Sequence, residues 1–136
     1  EVVIGAKTRD ELFFERRMTN AGANVHLCTD DGSVGHHGQV TDVVKRVISD
    51  GKCRRLVACG PERMLYAVAK IAHDAGISSQ ISVERHMKCG IGICDACSLD
   101  GRLVCLDGPI FDGEVLLKTE DFGRYRLAPD GRKVPI

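Results

Sequence analysis

Four of the chain's seven cysteines, Cys89, Cys94, Cys97 and Cys105, fall within the single stretch CGIGICDACSLDGRLVC. Their spacing, C-x4-C-x2-C followed by a fourth cysteine, is that of thiolates ligating a 2Fe–2S cluster. Two thiolates per iron and a compact cluster require a tightly folded backbone, so the first three ligands must share one cramped loop. Gly90 and Gly92 lie between the first two cysteines. Lacking a Cβ, they can take positive φ and let backbone N–H groups approach the sulfurs, which tunes the reduction potential. A structural zinc site usually pairs two C-x2-C-like knuckles, and only Cys94 and Cys97 form one here. A disulfide framework suits small secreted domains, whereas this chain has an odd cysteine count, no secretory apolar region and no apolar run of membrane-spanning length. A reducing, cytoplasmic compartment is therefore expected.

The balance of 19 basic and 19 acidic residues leaves no basic field that calls for nucleic acid or an anionic membrane. Aromatic residues make up 4% of the chain and Trp is absent, which weakens any base-stacking surface. With 43% hydrophobic residues, the chain belongs to the ordinary globular class.

The elements that must position the cysteines can be read along the chain. From Val2 to Gly76, short apolar runs alternate with helical patterns, as in βα units around a parallel sheet. Buried strands are expected at 2–7, 24–30 and 55–60, and helices at 9–21, 40–50 and 61–75. In the last helix Met64, Leu65, Val68, Ile71 and Ala72 form the apolar stripe. A fourth strand starts near Gln80 and leads into the cysteine loop. SLDGRLVC reads as a hairpin turning at Asp100-Gly101, which returns Cys105 over the loop. The tail after residue 118 is expected to lie along the surface or against a partner. The functional division falls between residues 1–83 and 84–136.

In a doubly wound sheet the ligand sits beyond the carboxyl ends of the strands. Gly5, Ala6, Lys7 and Thr8 follow the first strand, Asp30, Asp31 and Gly32 the second, and Cys59, Gly60 and Pro61 the third. Each group taken alone is ordinary turn and cap chemistry. Together, on one predicted edge, they favour a nucleotide site. No G-x-G-x-x-G stands at a strand-to-helix turn, because GIGICDA lies inside the cysteine loop. The pair His36-His37 reads as solvated loop, and Cys28 and Cys53 as thiols without a ligand role. Ile91, Ile93 and Ile110 flank the cysteines and are candidates for an apolar docking patch.

The runs TDDGSVGHHGQVTDVV, ACGPERM and SVERHMKCGIGICDACSLDGRLVCLDGPIFDG resemble the electron-transfer subunit of NAD-dependent dihydroorotate dehydrogenase, within the ferredoxin–NAD(P) reductase superfamily. The resemblance implies an α/β fold. A partial doubly wound parallel sheet for NAD is followed by a small Cys-rich 2Fe–2S domain, with FAD held mainly by a preceding β-barrel. It also implies that a first strand with a Gly-rich turn precedes Glu1, and that it lies between the first and third visible strands. Carried over, Cys89, Cys94, Cys97 and Cys105 are the cluster ligands. Cys59, Gly60 and Pro61 line the nicotinamide side with Met64 supporting the turn, and Gly5 to Thr8 and Asp30 to Gly32 lie near the adenosine half. No residue of this chain is assigned a catalytic role.

The implied function is a relay. An FMN-containing catalytic subunit, partnered in a hetero-oligomer, oxidises dihydroorotate, and electrons pass through the cluster and FAD to NAD. The flavin is needed because a nicotinamide moves two electrons as hydride and a 2Fe–2S cluster moves one. The chain is accordingly an oxidoreductase component expected to be inactive alone. Related subunits of sulfhydrogenases and anaerobic sulfite reductases look similar over the same stretch, and a stand-alone ferredoxin-like carrier or a zinc module are the readings from other classes.

Overall fold

The computed structural model describes all residues, Glu1–Ile136, and the chain divides into two compact units, Glu1–Arg54 and Arg55–Ile136. The secondary structure is α/β with both parallel and antiparallel pairing. No helix is long and apolar enough to cross a membrane.

In the first unit, β1 (Val2–Ala6) and β2 (Val25–Thr29) run parallel in the register Val2 opposite Val25 through Ala6 opposite Thr29. A two-residue strand β3 (His36–His37) extends the sheet beside Cys28 and Thr29, so the two histidines are part of the ladder and not of a loop, with His37 exposed as expected. The helix expected at 9–21 is interrupted. A 3-10 turn at Arg9–Glu11 ends in extended Leu12, and Phe14 at φ 67° precedes the short helix α1 (Glu15–Asn20). The adjacent phenyl groups of Phe13 and Phe14 are exposed, and aromatic residues favour helix only weakly. Helix α2 (Val40–Ser49) buries Val43 and Val47 against Cys28, with Val3, Val40 and Cys53 at the margin. Its close seat explains Gly5, since a Cβ there would stand 2.2 Å from Val40 Cγ1.

In the second unit, β4 (Arg55–Cys59) and β5 (Ser78–Ser82) pair in parallel, and β8 (Ile110–Asp112) adds antiparallel to β5. Strand β4 is less buried than expected. Leu56 is buried and its neighbour Val57 exposed, as the two-residue period of a strand requires. Helix α3 (Glu62–Asp74) packs on β4 and β5 through Leu65, Val68, Ala69 and Ala72, and Met64 and Ile71 are only partly buried. Leu65, Val68 and Ala72 thus form the buried stripe as expected, and Ala69 joins it in place of Ile71. The hairpin is formed as expected, with β6 (Ser98–Leu99) and β7 (Arg102–Leu103) joined through Asp100 at φ 48° and Gly101 at φ 78°. It runs directly into helix α4 (Val104–Asp107), and α5 (Gly113–Leu117) follows β8. One core gathers Leu65, Ile81, Leu99, Val104, Leu116 and Phe122.

The tail is more ordered than expected. It forms the hairpin of β9 (Tyr125–Leu127) and β10 (Lys133–Pro135), and Phe122 just before it is fully buried beside Tyr66 of α3, ring centroids 5.9 Å apart. The compact units divide between α2 and β4, whereas the functional division was expected at residues 83/84. Pairing of β5 with β8 draws the end of the parallel segment and the cysteine-bearing segment into one body.

An ion pair joins the parts of this body. Glu62, the first residue of α3, accepts from Nη1 and Nη2 of Arg85, the latter at 2.9 Å, and its Oε1 also accepts from the Gly123 N–H at 2.9 Å. The Arg85 and Glu62 side chains are 2% and 12% exposed. Removing one member of such a pair leaves an uncompensated charge out of water. Arg85→Ala is expected to lower the unfolding free energy by about 3–5 kcal/mol. Lys70→Ala, which breaks the exposed pair with Asp74, is expected to cost about 0.5 kcal/mol or less. Urea denaturation of the two variants checks the contrast, and equal losses would contradict it.

Candidate metal centre and nucleotide-binding turns

The cysteine loop follows β5 without regular structure. Its tight path uses positive φ at Gly90 (67°), Gly92 (78°) and Asp95 (57°). A side chain on Gly92 would strike Leu106, with the added Cβ 2.2 Å from Leu106 Cδ1. Cys97 ends the loop at the entrance to the hairpin and is buried in the core, while Cys94 is exposed and Cys89 half-buried. Cys105 sits in the first turn of α4, immediately after the hairpin, and the Val104 N–H donates to the Cys97 carbonyl at 3.3 Å. The hairpin thereby carries the fourth cysteine back beside the third.

The thiols associate in two pairs. Cys94 is close enough to Cys89, and Cys97 to Cys105, for each to shift the other thiol's pKa, and Cys105 also feels Cys89. No three His, Cys, Asp or Glu side chains converge tightly enough to hold one metal ion. Two pairs suit a dinuclear cluster taking two thiolates per iron, whereas a mononuclear zinc site needs four ligands about one point.

The loop also offers donors to sulfur. The Ile91 and Ile93 N–H groups point at Cys89 Sγ from 3.5 and 3.4 Å, and the Gly92 N–H is directed at Cys105. Successive amides alternating about positive-φ residues make an anion-binding concavity. The Ile91 N–H, then those of Ile93 and the Cys94 thiol, bring the Cys89 pKa down from 9.0 to about 6. Cys105 is pushed up, first by the Cys97 thiol beside it and then by burial. These residues fit a cluster of soft, anionic ligands, and the glycines serve the close backbone approach.

Cys28 behaves differently. It is 1% exposed in the core of the first unit, and burial, followed by Asp30 and Asp42, raises its pKa. Cys53 packs at the edge of the same core.

Of the expected nucleotide turns, two adjoin in the first unit. The Asp30 N–H donates to the Ala6 carbonyl and the Asp31 N–H to the Lys7 carbonyl, both at 3.1 Å, and the Arg9 N–H donates to Ser33 Oγ at 2.9 Å. The Asp31 carboxylate accepts from the Ser33 hydroxyl and N–H, which hold it below its ordinary pKa. Gly32, at φ 73°, makes room for the His37 ring, so it too has a packing reason. The third turn lies in the second unit. Gly60 has φ 148°, and a Cβ there would stand 2.5 Å from Met64 Cε, so the Met64 methyl lies against this glycine.

The Glu62–Arg85–Gly123 junction escaped the sequence reading. Its one local signal was a carboxylate in the first turn of α3, a common feature that names no partner.

Residues 84–117 match the family model described as the iron–sulfur cluster binding domain of dihydroorotate dehydrogenase B. A protein of Methanocaldococcus jannaschii is 42% identical over 134 residues, covering 97% of this chain and 52% of its own length. Relatives from Thermoplasma volcanium (42% identical; 100% of this chain, 53% of theirs) and Pyrococcus furiosus (41%; 99% and 53%) are similar to the same degree. All three are named as probable electron transfer subunits of dihydroorotate dehydrogenase B (NAD+). The chain spans about half the length of these curated relatives. A chain from the structure of an NADH-dependent reduced ferredoxin–NADP oxidoreductase, described for flavin-based electron bifurcation, superposes with a TM-score of 0.70 at 31% identity, covering 82% of this chain and 42% of that one. Over nearly its whole length the chain is thus similar to proteins named as electron transfer subunits of dihydroorotate dehydrogenase B, and its residues 84–117 match the model of that enzyme's iron–sulfur cluster binding domain.

Proposed function

We propose that this chain is the cluster- and nicotinamide-binding part of an electron-transfer subunit, relaying electrons from an FMN-bearing dihydroorotate dehydrogenase partner to NAD in pyrimidine biosynthesis. The observation that carries the reading is the arrangement of four cysteines as two thiol pairs on an amide-lined loop. When bound, the 2Fe–2S cluster supplies one-electron transfer, and FAD, held mainly outside these residues, joins it to the two-electron chemistry of NAD. Cys89 and Cys94 would hold one iron, and Cys97 and Cys105 the other. The N–H groups of Ile91, Gly92 and Ile93 offset anionic charge on the sulfurs. Residues 1–83 are read as part of a doubly wound nucleotide domain, supported by the parallel βα units. There Gly5 to Thr8 and Asp30 to Gly32 serve the adenosine half, and Cys59, Gly60, Pro61 and Met64 the nicotinamide side. The cytoplasm is the compartment that suits this chemistry.

Cys94→Ser is expected to abolish the visible absorbance of the anaerobically purified protein, because a hard oxygen replaces a soft thiolate. Cys28→Ser, in the core of the other unit, is expected to leave the absorbance in place. Equal loss in both variants would refute the ligand assignment.

The docking surface for the partner is read from exposure. Ile91, Ile93 and Ile110 are 65%, 78% and 49% exposed, and Leu106, 61% exposed and next to Cys105 in sequence, lies against Gly92 of the cysteine loop. An apolar patch beside a redox centre suits close approach of a partner's cofactor. Ile91→Glu with Ile93→Glu is expected to keep the cluster spectrum and to lower dihydroorotate-dependent NAD reduction in the reconstituted complex at least tenfold, about 1.4 kcal/mol of coupling. Wild-type rates with full cluster content would exclude the patch.

A further inference from the structure

A cleft of about 830 Å³ opens at the start of α3, and three segments of the second unit line it. One is the Gly60-Pro61 turn with Leu65, another is the lead-in to the cysteine loop at 84–86, and the third is the tail hairpin. The hairpin contributes Arg126, Leu127, Ala128, Pro129, Val134 and Ile136, so the tail supplies one whole wall. Its seat is fixed at several points. Gly123 N–H donates to Glu62, buried Phe122 meets Tyr66, Lys133 pairs with Asp121, and Arg63 donates to the Ile136 carbonyl.

The chemistry of the lining is specific. Pro61, Leu65, Leu127 and Val134 present apolar surface suited to a flat ring. Two cations border the cleft. Arg85 is spent on Glu62, yet its Nε is buried with no hydrogen-bond partner. Arg126 is exposed and forms no ion pair, so its guanidinium is available to an anion. Glu84 borders the same space and is an acceptor for a ligand's amide donor.

We infer that the β9–β10 hairpin is the outer wall of the nicotinamide site, with the nicotinamide mononucleotide half of the dinucleotide between it and the Gly60-Pro61 turn and Arg126 contacting the phosphate. This deepens the proposed function, because it rests on the reading of Gly60 as the nicotinamide side. A ring with a carboxamide and a phosphate matches the apolar walls, Glu84 and Arg126 together, and the volume lies within the range of small-molecule sites. Arg126 is a binding residue here and takes no part in electron or hydride transfer.

The test is equilibrium binding of NADH and of reduced nicotinamide mononucleotide to the full-length, cluster-loaded protein, followed by calorimetry. Arg126→Ala and Ala128→Trp are each expected to weaken both ligands about tenfold or more, with Arg126→Lys recovering part of the loss and the cluster spectrum unchanged. If the wild type binds both ligands and the variants bind them equally well, the tail is not the wall, and the nucleotide reading stands without it. Loss for NADH alone would place Arg126 at the adenosine half and overturn the assignment. A wild type that binds neither ligand would bring down the nucleotide reading and this inference together.

Discussion

A carboxylate and a guanidinium withdrawn from water tolerate only the geometry that satisfies both, and in the second unit that constraint falls on Glu62 and Arg85. Glu62 opens α3 directly after the Gly60-Pro61 turn, and Arg85 stands four residues before Cys89. Their pairing therefore fixes the start of a helix to the entrance of the cysteine loop. The same carboxylate takes the Gly123 N–H, which seats the tail. One desolvated pair thus relates the thiols, the proposed nicotinamide turn and the hairpin that closes the cleft. Its value lies in position, since a buried ion pair is weak evidence of net stability compared with apolar packing.

The cysteine loop meets a second electrostatic demand. Thiolates bound to iron carry charge that must be offset without bringing in side chains that would crowd the cluster. Backbone amides achieve this where φ turns positive, and Gly90 and Gly92 supply the turns. Exposed Ile91 and Ile93 then stand outward from a loop whose amides face inward, so one local conformation serves both the sulfurs and the surface proposed for a partner.

What the sequence made legible was local. Cysteine spacing, the Asp100-Gly101 hairpin, the parallel strands and helices α2 and α3 each follow from neighbouring residues and their periodicity. The stripe on α3 is as expected at Leu65, Val68 and Ala72, whereas Ala69 is buried where Ile71 was expected, and Met64 sits at the core's margin with its methyl against Gly60. Helix 9–21 was read too long, because its pattern does not show the left-handed turn at Phe14. Long-range features were hidden. Nothing in the spacing of Glu62, Arg85 and Gly123 marks them as partners, and β8 joins β5 across the whole cysteine loop. Gly5 and Gly32 are glycines that a nucleotide fold explains, and Val40 and His37 explain them equally well through packing.

The central claim is that the four thiols act as two pairs on a dinuclear cluster, and metal and sulfide analysis of anaerobically purified protein, combined with electron paramagnetic resonance after dithionite reduction, tests it most directly. Two irons and two acid-labile sulfides per chain, silent when oxidised and giving one unpaired electron per chain when reduced, are the expected result. One zinc per chain with no sulfide and no signal would contradict it.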